Sequence, residues 1–334
     1  MVDLFVNAEN AEKFLIEKRT SNAISSIITE DYFRKIFLHK NNAIKKKTTG
    51  WYYTISVTDK EPYIFILKED LNELDIEIIK KIEGNIWQIF INETDLYLGK
   101  IEQARISERF SMEDFITKYK LNVKVRENKQ SSKLEQAKSI SYCQYLNEKG
   151  QLIQASSIAY IEDYFLNKYF FVTNIDFFVK NELGIILLEI KFKYPAANRT
   201  YGINRLQYNA LSFFKQNGIR VYNIILNNPN RKDALDYIGA GVDEEEWLYA
   251  KFDDSVPLVL KTAPSKTSFF ESEEQQYYEV SVVKYKKLRR KNNFIDMKCP
   301  VCGADMIPKI GPYSEFLGCK NFKKEDCRGK IELE

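Results

Sequence analysis

A chain of 334 residues with 44% hydrophobic side chains is long enough for two or three domains and can bury a substantial core. Its net charge of +3 is too small to mark a nucleic-acid binder by itself, and its single histidine, His39, argues against His-based catalysis and leaves any chemistry to carboxylates or metals. No run of about 18 apolar residues occurs, so no membrane span is expected; Met1–Phe5 is acidic with a brief apolar run, so no secretory leader is expected; and the clustering of four of the five cysteines between 299 and 327 points to metal and a reducing cytoplasm.

Residues 1–130 read as an N-terminal α+β domain of unassigned role. Ala8–Glu17 and Ala23–Leu38 have helical spacing. Trp51–Val57 and Tyr63–Leu67 read as strands, Leu71–Ile82 as a helix, and Trp87–Asn92 with Asp95–Ile101 as a hairpin. Arg34, Lys35, Lys40 and Lys45–Lys47 form a basic cluster near Trp51, Tyr52 and Tyr53. That cluster suits phosphate contacts and base stacking; it equally suits a solvated charge run beside core aromatics. Glu127–Lys133 is polar and reads as a linker.

The second domain is placed at 135–260. Gln154–Lys168 reads as a helix and carries Glu162 and Asp163. Next come two strands, Ile175–Lys180 and Ile185–Lys193, with the turn chemistry of Asn181-Glu182-Leu183-Gly184 between them. Side chains alternate along a strand. Ile186, Leu188, Ile190 and Phe192 therefore share one face, and Leu187, Glu189 and Lys191 share the other. A turn centred between Glu182 and Leu183 puts Asp176 opposite Glu189, where facing Cβ atoms lie roughly 4.5–5.5 Å apart. Two carboxylates at that spacing suit one Mg²⁺, a cation that takes oxygen ligands. A solvated charged strand would show the same residues. A helix over Ile203–Gln216 follows, ended by Asn217-Gly218, and then a short apolar strand, Val221–Leu226.

Asp176-x12-Glu189-x-Lys191 on such a hairpin resembles the active site of the PD-(D/E)xK nucleases. This resemblance spans about residues 154–230. It implies a restriction-endonuclease-like αβββαβ core. Asp176, Glu189 and the carbonyl of Ile190 would hold Mg²⁺ or Mn²⁺, and Lys191 would orient the attacking water. It also implies an acidic residue on the preceding helix, Glu162 with Asp163 beside it, and a glutamine on the following helix, Gln207. The longer Gln-then-Tyr pattern of one branch is absent, because Leu211 stands four residues on. Many such enzymes pair as homodimers to cut both strands. No ATPase motif is present, so energy-driven translocation would need a helicase or ATPase partner.

Residues 261–297 read as a basic linker region. Tyr277–Tyr285 alternates like a strand, and Lys284, Lys286, Lys287, Arg289, Arg290 and Lys291 make the most basic stretch of the chain. At 298–334 the spacing Cys299-x2-Cys302-x16-Cys319-x7-Cys327 offers four thiolates for a closed tetrahedral Zn²⁺ site. CPVCG, Ile310-Gly311-Pro312-Tyr313, Phe316-Leu317-Gly318-Cys319 and Cys327-Arg328-Gly329 resemble the C-terminal zinc ribbons of bacterial type IA topoisomerases. The seven residues between Cys319 and Cys327 are a longer loop than is usual there. The resemblance implies single-stranded DNA as partner, with Tyr313, Phe316 and Phe322 stacking on bases beside Lys309 and Lys320. Alternatively these aromatics form the ribbon's small core. Three readings follow: a metal-dependent deoxyribonuclease targeted by a zinc ribbon, in restriction, defence or repair; a non-catalytic single-stranded-DNA-binding protein with a degenerate nuclease core; and an RNA nuclease, since the core chemistry does not distinguish sugars, against which the topoisomerase-like ribbon argues.

Overall fold

The computed structural model describes residues 4–5, 7–38, 44–56, 61–92, 95–123, 133–181, 184–239, 246–252, 260–264, 274–288, 299, 301–304, 306–310, 315–322 and 327–332. Its first elements in chain order are α1 (Ala8–Lys18), α2 (Ser21–Phe33), β1 (Lys46–Thr48), β2 (Trp51–Ser56), β3 (Pro62–Leu67), α3 (Glu73–Ile79), β4 (Asn85–Asn92), β5 (Asp95–Glu102), β6 (Arg105–Ser111) and α4 (Met112–Lys118). Next are α5 (Lys133–Glu148), α6 (Leu152–Ile161), α7 (Asn167–Tyr169), β7 (Phe170–Ile175), β8 (Phe177–Asn181), β9 (Gly184–Lys193), β10 (Thr200–Asn204), α8 (Arg205–Gln216), β11 (Arg220–Asn227) and α9 (Ala234–Gly239). The described chain closes with β12 (Trp247–Lys251), β13 (Leu260–Pro264), β14 (Glu274–Ser281), β15 (Lys286–Lys287), β16 (Met306–Ile310), β17 (Glu315–Cys319) and β18 (Lys330–Glu332).

Two mixed six-stranded sheets dominate. One runs β1-β8-β9-β11-β12-β15 and the other β6-β5-β4-β3-β2-β7. The expected hairpin forms between β8 and β9, with Asn181 paired to Gly184 and Phe177 to Leu188. β9 then pairs in parallel with β11, reached through the crossover helix α8. Alternation along β9 sorts its side chains into two cores. Ile186, Leu188 and Ile190 join Ala11, Ile24, Ile28 and Leu152 from the helices α1, α2 and α6. Ile185 and Leu187 join Trp51, Ala210, Leu211 and Phe214 on the other side. The helix–strand order expected over 154–230 is present along the chain, but its first strand is not in this sheet. β7 pairs with β2 in the second sheet, and the edge next to β8 is taken by β1. In space the order around the hairpin is therefore α2, β1, β8, β9, α8, β11.

Backbone pairing also crosses the boundary expected near 130, since β1 and β2 each pair with strands from beyond it. Helices α1 and α2 pack on α5, α6 and β9. Residues 49–169 interrupt the hairpin's own layer and build most of the second sheet. Of the aromatics near the basic cluster, Trp51, Tyr52 and Tyr53 are buried, and Arg34 and Lys35 pair with Asp31. Those aromatics are core residues, and Trp51 and Tyr52 also line a cavity. Among the described residues no helix is long and apolar enough to cross a membrane.

The C-terminal segment is a small three-stranded sheet, β16-β17-β18. Its described buried cluster consists of Cys299, Met306, Cys319 and Cys327 with Ala304 against it. A sheet that small, holding sulfur where a domain would hold leucine, has too little apolar area to fold on burial alone.

Candidate active site and metal centre

Asp176 stands at the break between β7 and β8, where one continuous path leaves one sheet for the other. Its Oδ2 accepts the Ile190 N–H at 2.5 Å, and its Oδ1 accepts from Asn174 Nδ2 at 3.3 Å. A side chain that captures a backbone N–H in this way competes with the ladder, which accounts for the interruption. Continuing the β8–β9 register by one residue puts Asp176 opposite Glu189, as the turn chemistry predicts. Both carboxylates are buried, at 4% and 1% exposure. Lys191 Nζ bridges them, 2.7 Å from Glu189 Oε1 and 3.4 Å from Asp176 Oδ2. Gln207 comes in from the first turn of α8 and donates through Nε2 to Glu189 Oε1. Asn204 caps that helix by accepting the Gln207 N–H at 2.8 Å, which fixes where the glutamine starts.

The electrostatics follow from burial. Asp176 is pushed up to about 7, first by loss of water and then by the negative field of Glu189, against Lys191 and the Ile190 N–H. Burial alone would lower Lys191; the fields of Asp176, Glu189 and Glu30 outweigh it and hold the ammonium charged. Lys193 is lowered to about 8 by burial and by Lys191, with Glu189 opposing.

Glu189 Oε2 is buried and has no hydrogen-bond partner. An unpaired carboxylate oxygen inside a protein is costly unless it meets a donor or a cation. A water-sized cavity of about 10 Å³ lies beside it, lined by Glu189, Lys191, Lys193 and Gln207. Asp176 does not line that cavity; its carboxylate and that of Glu189, both bridged by Lys191, are oxygen donors of the kind a hard divalent cation takes.

A larger cavity of about 470 Å³ opens on the other side of Lys191. Asp176 and Lys191 form part of its wall, and so do Glu30 of α2 and Glu162. Glu162 lies in the π-helical turn that continues α6. It is held by Arg19 Nη2 at 2.5 Å, and the same guanidinium is 3.5 Å from Asp163. The acidic residue in the stronger field of the hairpin is Glu30. Its carboxyl is pushed well above the usual range, first by burial and then by Asp176, with Glu189 and Glu162 adding and Lys191 opposing. Sequence reading missed Glu30. Its signal was a lone Glu-Asp pair ending the otherwise uncharged run Ser21–Thr29, far along the chain from the hairpin.

At the C-terminus the four cysteine sulfurs lie within 4.8 Å of one another. Cys299 and Cys327 sulfurs are 3.5 Å apart, and Cys302 and Cys319 are 3.4 Å apart. Four thiolates at Zn–S bonds of about 2.3 Å would be spaced by roughly 3.8 Å, so the cluster is close to the size of one tetrahedral zinc site. The N–H groups of Val301 and Asn321 point at Cys299 and Cys319 sulfurs at 3.4 and 3.3 Å. Gly303 has a φ of +70°, which the knuckle turn requires and other residues resist. A Cβ on Gly329 would fall on the Cys299 sulfur, so only glycine fits there. Phe322 is 46% exposed, which takes it out of the ribbon's core. Lys320 is exposed beside it, and Lys287 is exposed on the edge strand β15. Lys309 is on β16; Arg289, Arg290 and Tyr313 lie outside the described residues.

No family model matches the chain, and no solved structure matches it. A stretch of 31 residues, 9% of the chain, is 58% identical to DNA topoisomerase 1 of Methanothermobacter thermautotrophicus and spans 4% of that protein's length. Together with the four converging cysteines, this likeness fits a zinc ribbon at the C-terminus.

Proposed function

We propose that the chain is a divalent-metal-dependent deoxyribonuclease brought to DNA by its zinc ribbon. The observation that carries this reading is the convergence of Asp176, Glu189 and Lys191 on one buried point, with Glu189 Oε2 left unpaired. The spatial order α2, β1, β8, β9, α8, β11 supports a restriction-endonuclease-like αβββαβ arrangement, and Glu30 supplies an acidic residue from its first helix.

Asp176, Glu189 and the Ile190 carbonyl would hold Mg²⁺ or Mn²⁺. When bound, the ion supplies charge neutralisation on the phosphate and a more acidic water. Gln207 fixes the orientation of Glu189. Lys191 holds the attacking water against phosphorus; the water oxygen forms the new P–O bond, one ester P–O bond breaks, and the products are a phosphate monoester and a free hydroxyl. The protein whose stretch is 58% identical acts on DNA by its name, and the exposed Phe322 and Lys320 suit contact with a single strand.

A second reading has its own observation. Lys191 already pairs with both carboxylates, as it would in a DNA-binding protein with a silent core. Cleavage assays with Mg²⁺ or EDTA, comparing wild type with Glu189→Gln, separate the two. The nuclease reading expects a loss of at least about 100-fold in the variant, the scale of removing one transition-state stabiliser. Equal DNA binding with no cleavage by either protein supports the silent core.

A further inference from the structure

We infer that the 470 Å³ cavity beside Lys191 receives one unpaired nucleotide, so that the substrate is single-stranded or locally unpaired DNA. This deepens, and rests on, the nuclease reading.

The first ground is size. The cavity falls within the roughly 300–1,000 Å³ that houses one small-molecule-sized ligand. A duplex, whose major groove alone is about 12 Å wide, is too large to enter. The Asp176 carboxylate is fully buried and Lys191 beside it is 24% exposed; both line the cavity, so a phosphate that reaches Lys191 from this side enters this space. A strand still paired to its partner holds its phosphates outside.

The second ground is the chemistry of the walls. Ile27, Ala155 and Ile158 offer apolar surface for a base. Two polar atoms in the wall are buried without a hydrogen-bond partner: Gln151 Oε1, an acceptor, and Arg34 Nε, a donor. They have opposite senses, and the edge of a base offers both donors and acceptors. Asp31 accepts from both side chains and fixes them toward one end of the cavity. Glu30, beside the hairpin carboxylates, is one helical turn from Arg34. A rise of about 6 Å separates them along the helix, and Lys191, Gln151 and Arg34 line the same cavity, so a nucleotide in it would set its phosphate at Lys191 and its base edge at Gln151 and Arg34. Enzymes that take a nucleotide into such a pocket incur an unpairing cost on duplexes and are released from it on single strands.

The test uses the full chain with its zinc. Cleavage in Mg²⁺ is measured on matched single-stranded, blunt duplex and forked DNA. Alongside, a single strand carrying 2-aminopurine is titrated in Ca²⁺, where insertion of the reporter base changes its fluorescence. Ala155→Trp fills the cavity; Gln151→Leu removes the open acceptor without adding bulk, should the tryptophan disturb folding. The expected result is single strand cut about 100-fold faster than blunt duplex, and a 2-aminopurine signal lost in both variants while Mn²⁺ binding at the hairpin is unchanged. Duplex and single strand cut at equal rates, insensitive to both variants, would overturn the nucleotide pocket and leave the nuclease reading standing. A variant-sensitive fluorescence signal with no cleavage of any DNA would support the pocket and overturn the nuclease reading. Neither cleavage nor signal overturns both.

Discussion

Replacing Lys191 by methionine keeps the length of the side chain and removes its charge. In the structure that ammonium lies 2.7 Å from Glu189 and 3.4 Å from Asp176, and both carboxylates are almost fully buried. At an effective dielectric of about 20 the two attractions amount to roughly 6 and 5 kcal/mol before desolvation is counted. Desolvation of the lysine takes back much of that. Breaking a buried pair by removing one partner leaves a net loss of about 3–5 kcal/mol. At roughly 2–4 °C per kcal/mol, thermal unfolding should move down by about 6–20 °C at pH 8. The loss should shrink at pH 6, because Asp176, already pushed up to about 7, then takes a proton and relieves the repulsion. Mg²⁺ should restore more stability to the variant than to wild type, about 2.7 kcal/mol at a hundred times its Kd. Differential scanning fluorimetry at both pH values, with and without Mg²⁺, reads all of this. A variant as stable as wild type at pH 8, and equally indifferent to Mg²⁺, would refute the buried charge cluster.

Three further outcomes follow from the same geometry. Burial pushes the Cys143 thiol up to about 12, so at pH 8 a thiol reagent should label none of the five cysteines quickly in the zinc-loaded protein, the four ribbon cysteines after chelation, and Cys143 only on unfolding. Gly329→Ala puts a methyl group on the Cys299 sulfur, and zinc release to a chromogenic chelator should rise by at least about 10–100-fold in affinity terms; unchanged zinc retention would contradict the packing. For pH, the raised Asp176 carboxyl means that the metal-free fold binds a proton that the unfolded chain, near 3.9, does not. The stability contribution from that group is therefore present at low pH and lost as pH rises through about 7. Metal must displace that proton, so Mn²⁺ affinity measured by calorimetry should fall about tenfold per pH unit below 7 and level off above it.

The hairpin was legible because its information is local. Asn181 and Gly184 are turn-forming residue types and pair at the end of the hairpin, and alternation along β9 needs no distant partner to assign faces. The register that puts Asp176 against Glu189 follows from those two features, and the spacing of the cysteines was legible for the same reason. What the sequence concealed is carried by long-range pairing. β1 lies beside β8 although more than a hundred residues separate them in the chain, and β7 abandons its neighbour in sequence for β2. Nothing in the composition of Phe170–Ile175 distinguishes a strand of one sheet from a strand of the other. That substitution of β1 for β7 moves the first helix of the layer from α6 to α2, and with it the acidic residue in the strongest field from Glu162 to Glu30. The ion pair of Glu162 with Arg19 is equally invisible before the two helices meet. Gln207 was reachable because it sits one crossover helix after the hairpin, where connections are short and handed.

The most direct measurement is cleavage of DNA by the purified zinc-loaded chain in Mg²⁺ and in EDTA, side by side with Glu189→Gln. The account predicts Mg²⁺-dependent strand scission by wild type, none in EDTA, and a loss of at least about 100-fold in the variant with DNA binding retained. Scission that persists in EDTA, or that survives Glu189→Gln undiminished, would contradict the assignment of the hairpin as the site of chemistry.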